Sequence, residues 1–281
     1  MHDLEGRSYV VTGANTGIGK ITALELARRG GRVVLACRSA EKTEPVIAEI
    51  AKATGNSQIE FAALDLGDLA SVRSCAESLL ASGRPIHVLV NNAGLAGTRG
   101  LTKDGFELAF GTNHLGHYLF TRLLLDHIAK HGPARIVNVA SRAHYRAKAI
   151  DWDAVKQPTK SITAFDEYSV SKLANVLFTK ELARRMGDRP ITTYALHPGA
   201  VATDVWRRIP GPFRWLMKRF MISAEDGAKT TLYCAADPAC AGETGKYYDE
   251  SKERRPSALA DDEALAKELW TKSAEWVGLP E

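Results

Sequence analysis

Tyr168 and Lys172 stand four residues apart in the run Tyr168-Ser169-Val170-Ser171-Lys172. On a helix that spacing puts both side chains on one face, a turn apart. A phenol in water has a pKa of about 10, so it exchanges protons near neutrality only beside a cation, which Lys172 supplies. The pair has the chemistry of a general acid or base, although on spacing alone it more often marks two surface residues. Ser141 closes the run Ile136-Val137-Asn138-Val139-Ala140-Ser141. A hydroxyl at the carboxyl end of a strand sits where ligands enter an open α/β sheet and can steady a developing oxyanion; the alternative is a turn serine. A third feature is Thr12-Gly13-Ala14-Asn15-Thr16-Gly17-Ile18-Gly19, set between an apolar run and a helical one from Lys20. Glycines there let the backbone turn sharply and approach a pyrophosphate, whose charge the following helix N-terminus stabilises. The spacing is G-x-x-x-G-x-G rather than the dinucleotide fingerprint G-x-G-x-x-G, and a plain tight turn is the alternative.

These residues need elements to hold them. Short β-branched runs at 8–11, 32–36, 59–63, 87–90, 135–139 and 191–196 alternate with stretches suited to helices, such as 21–29 and 173–185. Strand, helix, strand repeated in this way predicts an α/β fold: a doubly wound parallel sheet, Rossmann-like, of about seven strands with helices on both faces. Residues 245–248 read as the final strand and 262–277 as a closing helix. With no linker, repeat or low-complexity tract, residues 1–281 read as one domain. Its most irregular stretches, 142–165 and 204–222, both follow carboxyl ends of strands, where ligands bind.

Composition narrows the function. The net charge of +4 comes from interspersed Lys, Arg, Asp and Glu, which argues against nucleic acid as a partner. Cys37, Cys75, Cys234 and Cys240 have neither zinc-ligand spacing nor the density of a disulfide scaffold. Residues 2–7 are polar rather than signal-like, and no run reaches the ~18 apolar residues of a membrane span; the expectation is a cytoplasmic protein. His114, His117 and His127 share one predicted helix, but no nearby cluster completes a ligand set, so packing or pocket-lining roles are expected and no metal.

The glycine loop resembles the cofactor loop of the short-chain dehydrogenase/reductase family, T-G-x-x-x-G-x-G. The resemblance continues in order through Asp65, Asn91-Asn92-Ala93-Gly94, Asn113, Ser141, Tyr168-x-x-x-Lys172 and Pro198-Gly199-Ala200-Val201-Ala202-Thr203. It implies that Gly13, Asn15, Thr16, Gly17, Ile18 and Gly19 hold a pyrophosphate and that Asp65 and Leu66 meet the adenine. Asn91, Ala93 and Gly94 would lie beside the adenosine ribose. Pro198, Gly199, Val201 and Thr203 would complete the site, the last two against the nicotinamide carboxamide. Helix capping is the alternative for Asp65, and turn chemistry for Asn91-Asn92. By the same resemblance Tyr168 is the proton donor in reduction and the base in oxidation. Ser141 hydrogen-bonds the substrate oxygen, and Asn113 holds a water that relays protons to Lys172. Tyr168 and Lys172 also meet the cofactor, the lysine through the nicotinamide ribose.

A carboxylate at the end of the second strand would bind the ribose 2′-hydroxyl of NAD and repel a 2′-phosphate. This strand instead ends Leu35-Ala36-Cys37-Arg38-Ser39. A guanidinium fork matches a phosphate, and Ser39 adds a donor, so NADP(H) is expected over NAD(H); the alternative is a solvated surface arginine.

Twenty-seven positions separate Ser141 from Tyr168, more than in many members of the family and similar to its retinol dehydrogenase-like branch. T-G-A-N-T-G-I-G-K from Thr12 and N-H-L-G-H-Y from Asn113 also resemble that branch. The resemblance implies a small lipophilic aldehyde or ketone, retinal-like or otherwise, and its alcohol. Trp206, Phe213, Trp215, Leu216, Met217, Phe220 and Met221 crowd the expected substrate lid at 204–222, where apolar side chains lower the cost of burying an apolar ligand. Basic residues among them allow weak contact with a membrane surface. Homo-dimers or homo-tetramers are expected by family resemblance, although the apolar helical faces could equally close one core. A C=C or pigment-precursor reductase and a non-catalytic NADP(H) sensor or scaffold are the competing readings.

Overall fold

The computed structural model describes residues 3–199 and 223–281. Seven parallel strands, β1 (Ser8–Thr12), β2 (Arg32–Cys37), β3 (Ile59–Ala63), β4 (Val88–Asn91), β5 (Ala134–Val139), β6 (Ile191–His197) and β7 (Lys246–Asp249), form one sheet, with the short antiparallel β8 (Lys252–Glu253) at its edge. The order is β3-β2-β1-β4-β5-β6-β7-β8, the doubly wound arrangement anticipated from the alternation of strand and helix. β1, β4 and nearly all of β2 and β5 are buried, because parallel strands take helices on both faces. Strand order reverses between β1 and β4, which opens a crevice at their carboxyl ends.

On one side the core joins α1 (Gly17–Arg28) and α2 (Ala40–Thr54) to the sheet. On the other it joins α3 (Leu69–Ala81), α5 (Gly116–Lys130) and α6 (Phe165–Met186). A three-residue α4 (Leu108–Phe110) enters α5 through a π-helical turn, Gly111–Leu115, so the single helix expected around Asn113 is widened there. The stretch after β5 is irregular as anticipated, with 3-10 turns at Arg142–Arg146 and Ala154–Lys156 before α6.

Beyond the second described stretch's first helix, α7 (Ala224–Ala236), the chain ends in α8 (Glu263–Trp276), capped by Asp262, whose carboxylate accepts from the Leu265 N–H. α8 lies over α5 and α6. Trp270 is 4% exposed, with the guanidinium of Arg122 4.6 Å and that of Arg185 4.5 Å from its ring centre. Its ring stacks on Phe178, and its carbonyl accepts from the Tyr118 hydroxyl at 3.2 Å. The apolar faces of α5 and α6 are thus covered by the chain's own C-terminal helix. Among the described residues no helix is long and apolar enough to cross a membrane. The expected lid and its apolar residues lie outside the described residues.

Trp270→Ala removes a ring that closes this face and should lower unfolding free energy by about 3–5 kcal/mol. Urea denaturation measures it; an unchanged midpoint would mean that α8 does not seal the core.

Candidate active site

α6 is buried along most of its length, and its first turns bring Tyr168 and Lys172 beneath the end of β5. Lys172 is 4% exposed and donates to the Val139 carbonyl at 2.8 Å; its ammonium lies 5.7 Å from the centre of the Tyr168 ring. The Ser141 hydroxyl lies close enough to the Tyr168 phenol to act on its acidity. The three side chains proposed from the sequence are therefore together. Burial pushes the Tyr168 pKa up, and the Ser141 hydroxyl opposes that rise. Burial also pushes Lys172 down to about 8, because an ammonium withdrawn from water loses hydration. Ala96, Ala143 and Phe165 pack against Tyr168, so the surroundings of the phenol are apolar.

Asn113 sits in the π turn, fully buried, with its side-chain amide already engaged. Its Oδ1 accepts from the Leu95 N–H at 2.9 Å, and its Nδ2 donates to the Leu95 carbonyl at 3.0 Å and to Ser171 Oγ at 2.9 Å. Gly94 separates this amide from the lysine: a Cβ there would lie 3.4 Å from both Asn113 Oδ1 and Lys172 Nζ.

The loop after β1 is shaped by close approach. Gly13 has φ +64°, and a Cβ on it would lie 2.9 Å from Cα and Cβ of Ala93. A Cβ on Gly19 would lie 2.5 Å from both Asn92 Nδ2 and the Gly13 carbonyl. Side-chain caps close α2 (Ser39), α3 (Asp68), α7 (Ser223) and α8 (Asp262), whereas Thr16 makes no such cap on α1 and the first turn of α1 carries no acid. Donors left open at the start of a helix, beside a backbone cradle without side chains, suit a phosphate. Asn15, Gly17 and Ile18 line the same loop, and Thr16 is exposed on it.

Arg38 is exposed directly after β2, and Ser39 caps α2 by accepting from the Lys42 N–H at 3.3 Å, which leaves its own proton to donate. Asp65 accepts from the Gly67 N–H at 3.0 Å, closing a turn; the cap of α3 is Asp68, so the capping alternative falls on the wrong aspartate. Leu66 is pressed under α5, where a Cβ on Gly116 would come 2.4 Å from its carbonyl oxygen. The side chain of Asn91 turns into the interior, donating to Thr121 and Asn138, so of this residue only the backbone faces the crevice side of the turn. Ala93 meets Gly13 as described. Pro198 and Gly199 follow β6 at the same edge, and Val201 and Thr203 lie outside the described residues.

With this geometry in hand, comparison with known proteins is decisive. Residues 7–211 match the family model described as short chain dehydrogenase. The chain belongs to the short-chain dehydrogenases. It is an oxidoreductase of that family. Human retinol dehydrogenase 11 is 44% identical over 99% of this chain and 87% of its own length, and human retinol dehydrogenase 12 is 44% identical over 98% and 88%. Among solved structures, an uncharacterized protein from Mycobacterium Paratuberculosis superposes with a TM-score of 0.78 at 33% identity, covering 98% of this chain and 94% of that one. An NAD(P) dependent gluconate 5-dehydrogenase described from Beutenbergia cavernae, with bound NADP at low occupancy, gives 0.73 at 28% identity, covering 89% and 96%.

Three buried polar residues stand out here: Thr12 and Ser171, outside the expected site, and His117, expected to pack or line the pocket. Their signal was present, since Thr12 opens the glycine motif and His117 lies in N-H-L-G-H-Y, but their partners are remote in sequence. His114 is a packing residue, bonded to Ser273 at 3.0 Å among Phe110, Tyr118 and Phe178. Burial pushes His114 down to about 3 and His117 to about 4. The folded protein keeps these rings neutral while the unfolded chain takes up protons near pH 6.5, so their stability contribution is present above that pH and lost as pH falls toward the folded values. Each should cost about 1.4 kcal/mol per pH unit in that window. Urea unfolding between pH 7 and 5 should show the slope, reduced by one histidine's share in His114→Phe; an undiminished slope would mean that His114 is not held neutral.

Proposed function

We propose that this short-chain dehydrogenase uses NADP(H) to interconvert a lipophilic aldehyde or ketone and its alcohol. The observation that carries the reading is the buried Tyr168 phenol beside Ser141, with the Lys172 ammonium 5.7 Å from its ring centre and Ala96, Ala143 and Phe165 around it. The names of its retinol dehydrogenase relatives support a lipophilic substrate. All four cysteines are free and buried, which agrees with work in a reducing compartment.

The loop from Gly13 to Gly19 would hold the pyrophosphate, and Arg38 and Ser39 the 2′-phosphate. A nicotinamide held there would supply the hydride chemistry, to the carbonyl carbon in reduction or from the alcohol in oxidation. In reduction Tyr168 gives its proton to the substrate oxygen, completing the alcohol; in oxidation its phenolate takes that proton back. Ser141 donates a hydrogen bond to the same oxygen and favours the charge that develops there. Lys172, held by the Val139 carbonyl with its ammonium 5.7 Å from the centre of the Tyr168 ring, places a positive charge beside the phenol, which favours its phenolate form. The apolar wall excludes water, which strengthens these interactions.

Tyr168→Phe should bind NADPH as wild type does while its turnover of lipophilic aldehydes and ketones, followed by NADPH oxidation, falls by about 10²–10⁴. In wild type the reductive kcat/KM should decline above pH of about 8, because Lys172 then loses its proton. Turnover retained by Tyr168→Phe would remove the tyrosine from the chemistry.

Arg38→Asp should reverse nucleotide preference, lowering the NADPH/NADH ratio of kcat/KM at least about tenfold, since it trades a charge-assisted hydrogen bond for repulsion. An unchanged ratio would show that Arg38 does not contact the 2′-phosphate.

A further inference from the structure

Between the glycine loop and the catalytic helix runs an unbroken chain of buried hydrogen bonds. Thr12 Oγ1 accepts from the N–H groups of Asn92 and Ala93, each at 2.9 Å, and lies 2.9 Å from His117 Nε2. Two incoming N–H groups take the hydroxyl's lone pairs, so its proton goes to Nε2. His117 therefore carries its own proton on Nδ1 and donates it to the main-chain carbonyl of Asn113 at 3.0 Å. The Asn113 amide continues to Ser171 Oγ at 2.9 Å, and Ser171 donates to the carbonyl of Tyr168 at 2.7 Å. Thr12, Asn113 and Ser171 are fully buried and His117 is 2% exposed.

We infer that His117 is a positioning residue that holds the nucleotide loop and the catalytic tyrosine in register, through Thr12 on one side and Asn113 and Ser171 on the other. The Asn113 side chain ties the turn after β4 to the catalytic helix through Leu95 and Ser171, and His117 ties that same residue's main chain to Thr12. A neutral imidazole is suited to the task because it accepts at one nitrogen and donates at the other, across the ring, with one rigid spacing. Burial keeps the ring neutral, so this single tautomer persists. Its acceptor half sets the turn at Asn92 and Ala93 against Gly13, where the nucleotide is proposed to bind. Its donor half sets the π turn whose Asn113 steadies Ser171, one residue before Lys172. In a buried network, deletion of a central member leaves polar groups on both sides without partners.

The inference rests on the nucleotide site proposed above, so binding is measured separately from turnover, by titrating NADPH and NADH into the intact protein and following tryptophan fluorescence or heat. His117→Phe, which breaks both halves, should raise the nucleotide Kd about tenfold and lower kcat about tenfold, the effect of one to two net hydrogen bonds. His117→Asn supplies an amide at the place of Nδ1 but is too short to reach Thr12; it should recover kcat while Kd stays high. Thr12→Val cuts the first link from its other end and should raise Kd as His117→Phe does, with the double variant little worse than either alone. Wild-type Kd and kcat in folded His117→Phe, or in His117→Asn should the former not fold, would overturn the inference. So would losses of Kd and kcat that run in equal proportion in both variants and track a lowered melting temperature, which would leave His117 a packing residue. Wild-type protein that binds neither nucleotide would overturn the proposed function and this inference with it.

Discussion

At the carboxyl ends of β1 and β4 two turns leave the sheet so close together that a methyl group on Gly13 would strike Ala93. The site depends on that approach. It exists because strand order reverses between these two strands, sending their following elements to opposite faces and leaving a crevice between. Glycines at the points of close approach, and a start of α1 without a side-chain cap, make the crevice suited to a phosphate. Asn92 joins the walls, donating from its amide to the Thr12 carbonyl at 2.8 Å.

The catalytic group is subject to the opposite requirement. For the proposed chemistry Tyr168 and Lys172 would have to leave water for their charges to act strongly on a substrate oxygen, and burial raises the one pKa and lowers the other. The fold offsets this cost by giving the ammonium the Val139 carbonyl and by setting the Ser141 hydroxyl near the phenol, where it opposes the rise of its pKa. Both partners come from the carboxyl end of β5, Val139 closing the strand and Ser141 two residues beyond it, so that end of the sheet sets where charge and hydroxyl meet the phenol. α8, sealing α5 and α6 from outside, keeps the helix that carries the pair from shifting.

Much of this was legible in the chain. The strands read from β-branched runs lie where expected, because a parallel strand buried on both faces must be apolar throughout. Tyr168, Lys172 and Ser141 could be named because they fall in order among the motifs of the family resemblance, where helical spacing and a strand end alone would have left surface or turn residues as the alternative. Other features were not legible. Asn91 looks like a turn residue, yet its amide reaches Thr121 and Asn138 inside the core. Asn113 is singled out by the resemblance but sits in a helix by its sequence, whereas a π turn places it and its amide is held by Leu95 and Ser171, 18 and 58 positions away.

The sequence by itself determined the order of elements, the glycine loop, the residues able to move a proton and the membership of the family, because periodicity, spacing and motif are local properties of a chain. Only the tertiary structure decided which hydroxyl meets the phenol, how far each ionisable group is withdrawn from water, and that His117 bridges Thr12 to Asn113. Burial and hydrogen bonding between remote segments depend on how strands and helices stack, and the same histidine in the same motif could have faced solvent or a metal had the helix been turned otherwise.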